Sequence, residues 1–297
     1  MKLRKHQLPI EGSWTTASDV DWNLVKDMTH LQRCRALGIK KCNAYTIWEG
    51  PSRLDGVTPI YLRVTGFARK SANGKTGNVL QANIMLREVS PVEGLKGKDS
   101  AICGVGEHAC IHKPSEGGDC YVVVAQAQTS THKSFLKNPF EQTINPWQAQ
   151  VLCYGRKFRF GTYGDPVAIP WYIWIAITHY CTSTVGYTHQ WKNEAVCSRV
   201  YLSFLMASCD TEEDVLLARS KGYRSFLVYP SLDKASIEPL PNMVMCPAVK
   251  TDGRVTCAAC NLCDGDRAGK SDRVRKDLFV PSHGARSKSK YSNTAIA

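Results

Sequence analysis

The chain has no run of about 18 apolar residues, the length a membrane-spanning helix needs. Its richest apolar stretch, Ile169 to Ile177, is short and carries Pro170 near its start, so no membrane partner is expected. Met1 to Ile10 is basic but lacks the apolar core of a secretory signal, which points to a cytoplasmic protein. Acidic charge is also scarce: 26 Asp and Glu stand against 38 Lys and Arg, for a net charge of +12. Such an excess favours work near polyanions, with nucleic acid or a nucleotide as the first partner; the alternative is that the lysines only solubilise the surface. Part of the excess sits at the ends, at Lys2, Arg4 and Lys5 and at Arg286, Lys288 and Lys290. A phosphate loop is missing too. Gly74, Lys75 and Thr76 resemble its end, but the glycine required five residues before Gly74 is Arg69, and a strand-like alternation follows instead of a helix.

Cysteine, by contrast, is abundant, with 13 in 297 residues. Without a secretory signal, metal ligation accounts for them better than disulfides. Cys246, Cys257, Cys260 and Cys263 form a C-P-x9-C-x2-C-x2-C run, whose two-residue gaps let successive thiolates turn onto one centre. Four thiolates suit zinc or an iron–sulfur cluster. The missing second Cys-x2-Cys knuckle and the Cys-Pro pair favour [4Fe–4S] over zinc. Cys103, Cys110 and Cys120 make a looser set, with His108 and His112 among them; it would hold a second cluster or a zinc site, or be a glycine-rich loop with unrelated thiols. Cys34, Cys42, Cys153, Cys181 and Cys197 are expected to pack in the core.

The hydrophobic pattern predicts a short helical stretch over 22–37, then strands over 44–48, 60–65 and 79–86 as an antiparallel N-terminal sheet. Further strands are expected over 121–127, 158–162, 184–189, 202–208, 223–229 and 278–280. Helices are expected from Pro170 to Tyr180 and over 212–220, the second capped by Asp210 or Thr211. Strand, loop and helix in alternation predict an α/β fold with a partial or complete (β/α) barrel-like parallel sheet. The domain boundaries expected are a helical extension over 1–43, one α/β metal-binding domain over 44–284, and a basic flexible tail over 285–297.

Polar residues fall at the C-terminal ends of these strands: Tyr163 with Asp165, His189 with Gln190, Cys209 with Asp210, and Ser282 with His283. Parallel sheets and barrels carry their ligand sites there, although loops are polar in any case. Asp165, His189 and His283 are the candidate catalytic residues. Tyr163, Gly164, Asp165 and Gln190 are the candidate cofactor contacts.

A three-cysteine loop beside a strand, with Thr162-Tyr163-Gly164-Asp165-Pro166 after the next, resembles the radical SAM barrels. That resemblance implies S-adenosylmethionine as a cofactor. The family's compact cysteine gaps are absent here, and the loop precedes its strand instead of following it. Across residues 44 to 284, Tyr45 to Ser52, Asn73 to Gly77, Ile102-Cys103-Gly104, Cys120-Tyr121-Val122, Gly164-Asp165-Pro166, Gly186 to Trp191, Met206-Ala207-Ser208, Cys246-Pro247-Ala248 and Pro281 to Gly284 are similar to a family of bacteriophage proteins of unassigned activity. The resemblance implies a phage or prophage origin and the host cytoplasm. Together these features predict an intracellular iron–sulfur protein with an enzymatic role on a nucleotide or nucleic acid. The alternative is a non-catalytic, zinc-stabilised nucleic-acid-binding protein.

Overall fold

The computed structural model describes residues 20–69, 74–265, 276–282 and 287. His283 and most of the predicted basic tail lie outside the described residues, as do residues 1–19 and 70–73. The fold is mixed α/β and contains two five-stranded sheets. The first runs in the order β1 (Ala44–Pro51), β2 (Pro59–Thr65), β3 (Leu80–Leu86), β4 (Lys157–Tyr163) and β5 (Ser183–Val185). Its first three strands are antiparallel neighbours, as the sequence predicts, and β3, β4 and β5 run parallel. The second sheet is wholly parallel, in the order β6 (Tyr187–Thr188), β7 (Met206–Cys209), β8 (Ser225–Tyr229), β10 (Asp277–Pro281) and β9 (Met243–Met245).

Only Gly186 separates β5 from β6, so one predicted strand, 184–189, serves both sheets. The glycine is there for space. A Cβ at this position would lie 2.7 Å from Phe160 Cβ and 2.9 Å from a methyl of Leu205. The backbone of Gly186 also bonds on both sides, donating to Cys263 O at 3.0 Å and accepting from Met206 N at 3.0 Å.

One apolar core backs both sheets. Phe158 and Phe160 of β4 pack edge-on against Trp174 of the helix Trp171–Thr178, whose indole donates to Pro166 O at 2.8 Å. Ala207, Cys209, Leu227 and Phe279 join the same core with Val215 and Ala218 of the helix Glu212–Ser220. Thr211 caps that helix by accepting from Asp214 N, which leaves the side chain of its neighbour Asp210 free of capping. At the N-terminus, buried Arg33 donates to Val151 O, Tyr154 O and Val25 O, fastening the first two helices, Trp22–Asp27 and His30–Leu37, to the helix Pro146–Cys153. Cys34, Cys153 and Cys197 are buried in this core, and Cys42 and Cys181 pack against it.

The opposite face of the second sheet carries Met206, Phe226, Leu278 and Val280, with Val185 at the end of β5 beside them, and the cysteine segment 246–265 covers it through Cys263, Leu262 and Val249. Two departures from expectation concern strands. Residues 121–127 form no strand; Tyr121 and Val123 stay exposed, and the helix Ala127–Lys137 begins instead. Residues 202–208 begin as the end of the helix Arg199–Leu202, and the strand starts only at Met206. Among the described residues, no helix is long and apolar enough to cross a membrane.

Gly186→Ala should destabilise the protein by about 1–3 kcal/mol, the usual cost of overpacking a tight site. A lowered urea midpoint at unchanged slope would show it; a neutral result would mean the sheet junction has slack.

Candidate functional site

The parallel strands point their C-terminal ends the same way, and the polar residues predicted there do gather. Asp165, after β4, accepts from Val167 N at 2.9 Å and Thr188 Oγ1 at 2.8 Å through Oδ1, and from His189 N at 2.9 Å through Oδ2. It therefore fixes the backbone that presents His189. Burial raises its pKa, against those bonds. Asp210, after β7, brings Oδ1 to 3.3 Å from His189 Nε2, and Ser208 Oγ lies 3.2 Å from the same nitrogen.

The loop over 103–120 closes on this end of the sheet. It is anchored by a buried ion pair, Lys113 to Asp99 at 3.3 Å, and folds back through Cys120 N to His112 O at 3.0 Å. Gly118 permits that fold, since a Cβ there would sit 2.2 Å from the backbone of His112. His112 Nδ1 meets Asp119 Oδ1 at 2.5 Å, and its Nε2 faces Asp210 Oδ1 at 3.3 Å. Asp119 is buried, and its other oxygen accepts from Ser282 Oγ at 2.7 Å and Ser287 Oγ at 3.0 Å. His112 is one of the two loop histidines from which the sequence predicts a zinc ligand, whereas nothing in the sequence singles out Asp119.

Cys110 Sγ lies 3.9 Å from His189 Nε2. Burial opposes charge on both, yet each favours the other's ionised form: the Cys110 thiol is lowered by His189 and His112, and the His189 imidazolium is held well above its ordinary range by Cys110 and Asp210. Burial likewise works against Asp119, but Ser282 and His112 outweigh it and hold its carboxyl at about 2. Cys103 is different: burial and nearby Asp99 push its thiol up. The sulfurs of Cys103, Cys110 and Cys120 sense one another's charge without closing into a single-ion set.

The other predicted contacts hold the frame. Gln190 is buried and donates to His108 O at 2.7 Å, tying the cysteine loop to the end of β6. Gly164 takes φ +78°, with the carbonyl of Ile84 2.8 Å from where a Cβ would stand. The buried hydroxyl of Tyr163 has no hydrogen-bond partner among the described residues.

Cys246, Cys257, Cys260 and Cys263 line one small pocket with Val185 and Leu278. Their segment is braced from both sheets. Arg224 donates to Asp264, Leu262 O and Gly265 O; Cys257 N and Ala258 N donate to Lys75 O and Thr76 O. Gly77, at φ +69°, lies where a Cβ would be 2.9 Å from Thr256 Oγ1. The Gly-Lys-Thr turn is thus a bracket for the cysteine segment. Arg159 of β4 reaches the same face, donates to Tyr121 OH at 2.8 Å, and lies within electrostatic range of Cys257, Cys263 and Tyr187. Comparison of the chain with family models, curated proteins and solved structures gives no match.

Asp165→Asn keeps the shape but turns one acceptor into a donor facing Thr188 or His189. A loss of about 1–3 kcal/mol is expected for the unpaired buried donor. Denaturant unfolding measures it, and an unchanged midpoint would remove Asp165 as the brace of this end.

Proposed function

We propose that this chain is an iron–sulfur protein in which Cys246, Cys257, Cys260 and Cys263 hold a [4Fe–4S] cluster, with the polar strand ends serving chemistry on a nucleotide or nucleic acid. One observation carries the cluster over zinc. The four thiols line one pocket, yet no three of them bring their sulfurs within 4.8 Å of one another, since His112, His189 and Asp210 are the one such group among the described residues. Thiolates about 2.3 Å from a single zinc must lie about 3.8 Å apart, so zinc would require this segment to contract. A cluster gives each sulfur its own iron and accepts the wider set.

Arg159 supports the same reading. Among the described residues it has no carboxylate partner, and its charge instead favours the thiolate of Cys257. A fixed cation beside a thiolate-bound cluster offsets the cluster's negative charge and tunes its potential. When bound, such a cluster supplies one-electron transfer. Four thiolates leave no iron open, so any use of S-adenosylmethionine would fall to the loop of Cys103, Cys110 and Cys120.

The strand order, continuous through Gly186 from β1 to β9, fits a partial barrel left open between those edges. A host-cytoplasm setting is what the resemblance to phage proteins implies, and the +12 charge suits a polyanionic substrate.

Protein purified without oxygen should be brown, absorb broadly near 400 nm, and carry about four irons per chain, or about eight with a second cluster. Cys260→Ser should lose most of that colour. Colourless protein with stoichiometric zinc would overturn the cluster in favour of a zinc-stabilised nucleic-acid-binding protein.

A further inference from the structure

The second candidate centre involves none of the four C-terminal cysteines. His112 Nε2, His189 Nε2 and Asp210 Oδ1 all lie within 4.8 Å of one another, and Asp210 Oδ1 is 3.3 Å from each nitrogen. Three ligands about 2.1 Å from one tetrahedral ion would be spaced about 3.4 Å apart, which is the separation seen at both measured edges.

The hydrogen bonds around the group explain why a cation suits it. In the neutral ring of His112, with Nδ1–H donated to Asp119, Nε2 carries a lone pair that faces a carboxylate oxygen, a place that either a proton or a metal ion can take. His112 Nε2 and Asp210 Oδ1 are both buried and make no hydrogen bond of good geometry. Two acceptors held this close repel unless a proton or a metal ion sits between them, and the convergence of His189 Nε2 on the same carboxylate oxygen favours the metal. Asp119 completes a carboxylate–histidine pair of the kind that fixes the tautomer of a metal-bound imidazole, and Ser282 and Ser287 fix Asp119 in turn.

A nucleophile–base–carboxylate relay is the obvious competitor, since Cys110, His189 and Asp210 have the right identities. A relay uses both ring nitrogens of its histidine, one toward the nucleophile and one toward the carboxylate. Here Cys110, Ser208 and Asp210 all approach the same atom, Nε2 of His189. They converge on a point instead of forming a chain.

We propose that His112, His189 and Asp210 form a mononuclear site for a divalent first-row transition ion, oriented by Asp119 and separate from the four-cysteine centre. Three protein ligands leave a coordination position for water or substrate, as in catalytic zinc and non-haem iron sites. Cys110 and Ser208 flank that position. Side-chain exposures of 16% for Asp210, 20% for His112 and 22% for His189 give an ion a way in.

Titration of the full chain with Co²⁺, read by visible absorption and metal analysis, tests the site. One equivalent should give weak d–d bands without the strong near-ultraviolet absorption of a thiolate set. That equivalent should vanish in His189→Ala and Asp210→Ala. His189→Gln, closer in size, serves if the alanine variant fails to fold. Asp119→Asn, which preserves the shape, should weaken Co²⁺ about 10- to 100-fold. Co²⁺ uptake that is absent, or unchanged by all these substitutions, would overturn the site and leave His112 as an imidazolium bridging two carboxylates. Iron content at the cysteines is measured separately in the same samples, so failure of either centre leaves the other testable.

Discussion

The shared direction of the parallel strands is the constraint on which this molecule depends. Because β4, β6, β7 and β10 all run the same way, the residues that follow them are delivered to one end of the sheets whatever their distance along the chain. Asp165, His189, Asp210 and Ser282 are far apart in sequence, yet they form one connected set of contacts with the 103–120 loop. Parallel sheets place ligand sites at their carboxyl ends for this reason. The direction is in turn secured where β5 passes into β6, because Gly186 alone joins the mixed sheet to the wholly parallel one.

The cysteine segment depends on the same junction from the other side. It bonds to Gly186 through Cys263, to the turn at Lys75 and Thr76, and to Arg224 at the start of β8. These contacts span both sheets. A segment so placed closes the exposed apolar face of the second sheet, and any centre built into it would also hold the two sheets together. For the proposed cluster, structural and electron-transfer roles would be compatible, because a centre held against a rigid sheet would reorganise little when its charge changes.

Much of the polar end was legible in the sequence, since alternation locates a strand and the residue after the strand is then known to face the carboxyl end. Asp165, His189 and Asp210 were found that way. His112 is legible only as one of two histidines in the cysteine loop, and Asp119 not at all, because their places are set by the tertiary path of an irregular loop whose cysteine gaps of six and nine residues match no metal pattern. Residues 121–127 were misread for a related reason. Their valines satisfy strand propensity, but a strand needs a partner strand, and this segment pairs with neither sheet. Local preference lost to topology. The Gly-Lys-Thr turn, set aside as a phosphate loop, gained a role only once Gly77 was seen against Thr256.

The two proposed centres differ in the property that decides which metal each would hold. One offers four soft thiolates; the other offers two imidazoles and a carboxylate. Affinity alone separates divalent ions poorly at a single type of site, so a protein that needs two metals gains selectivity from unlike ligand sets. Cys110 is the one thiol that touches the nitrogen and oxygen set, and His189 already draws it toward the thiolate form. Its 3.9 Å separation from Nε2 of His189 is longer than the 3.3 Å contacts of the proposed ligands. In the proposed site the thiol, which is not within 4.8 Å of all three ligand atoms, would stand beside the ion and not on it.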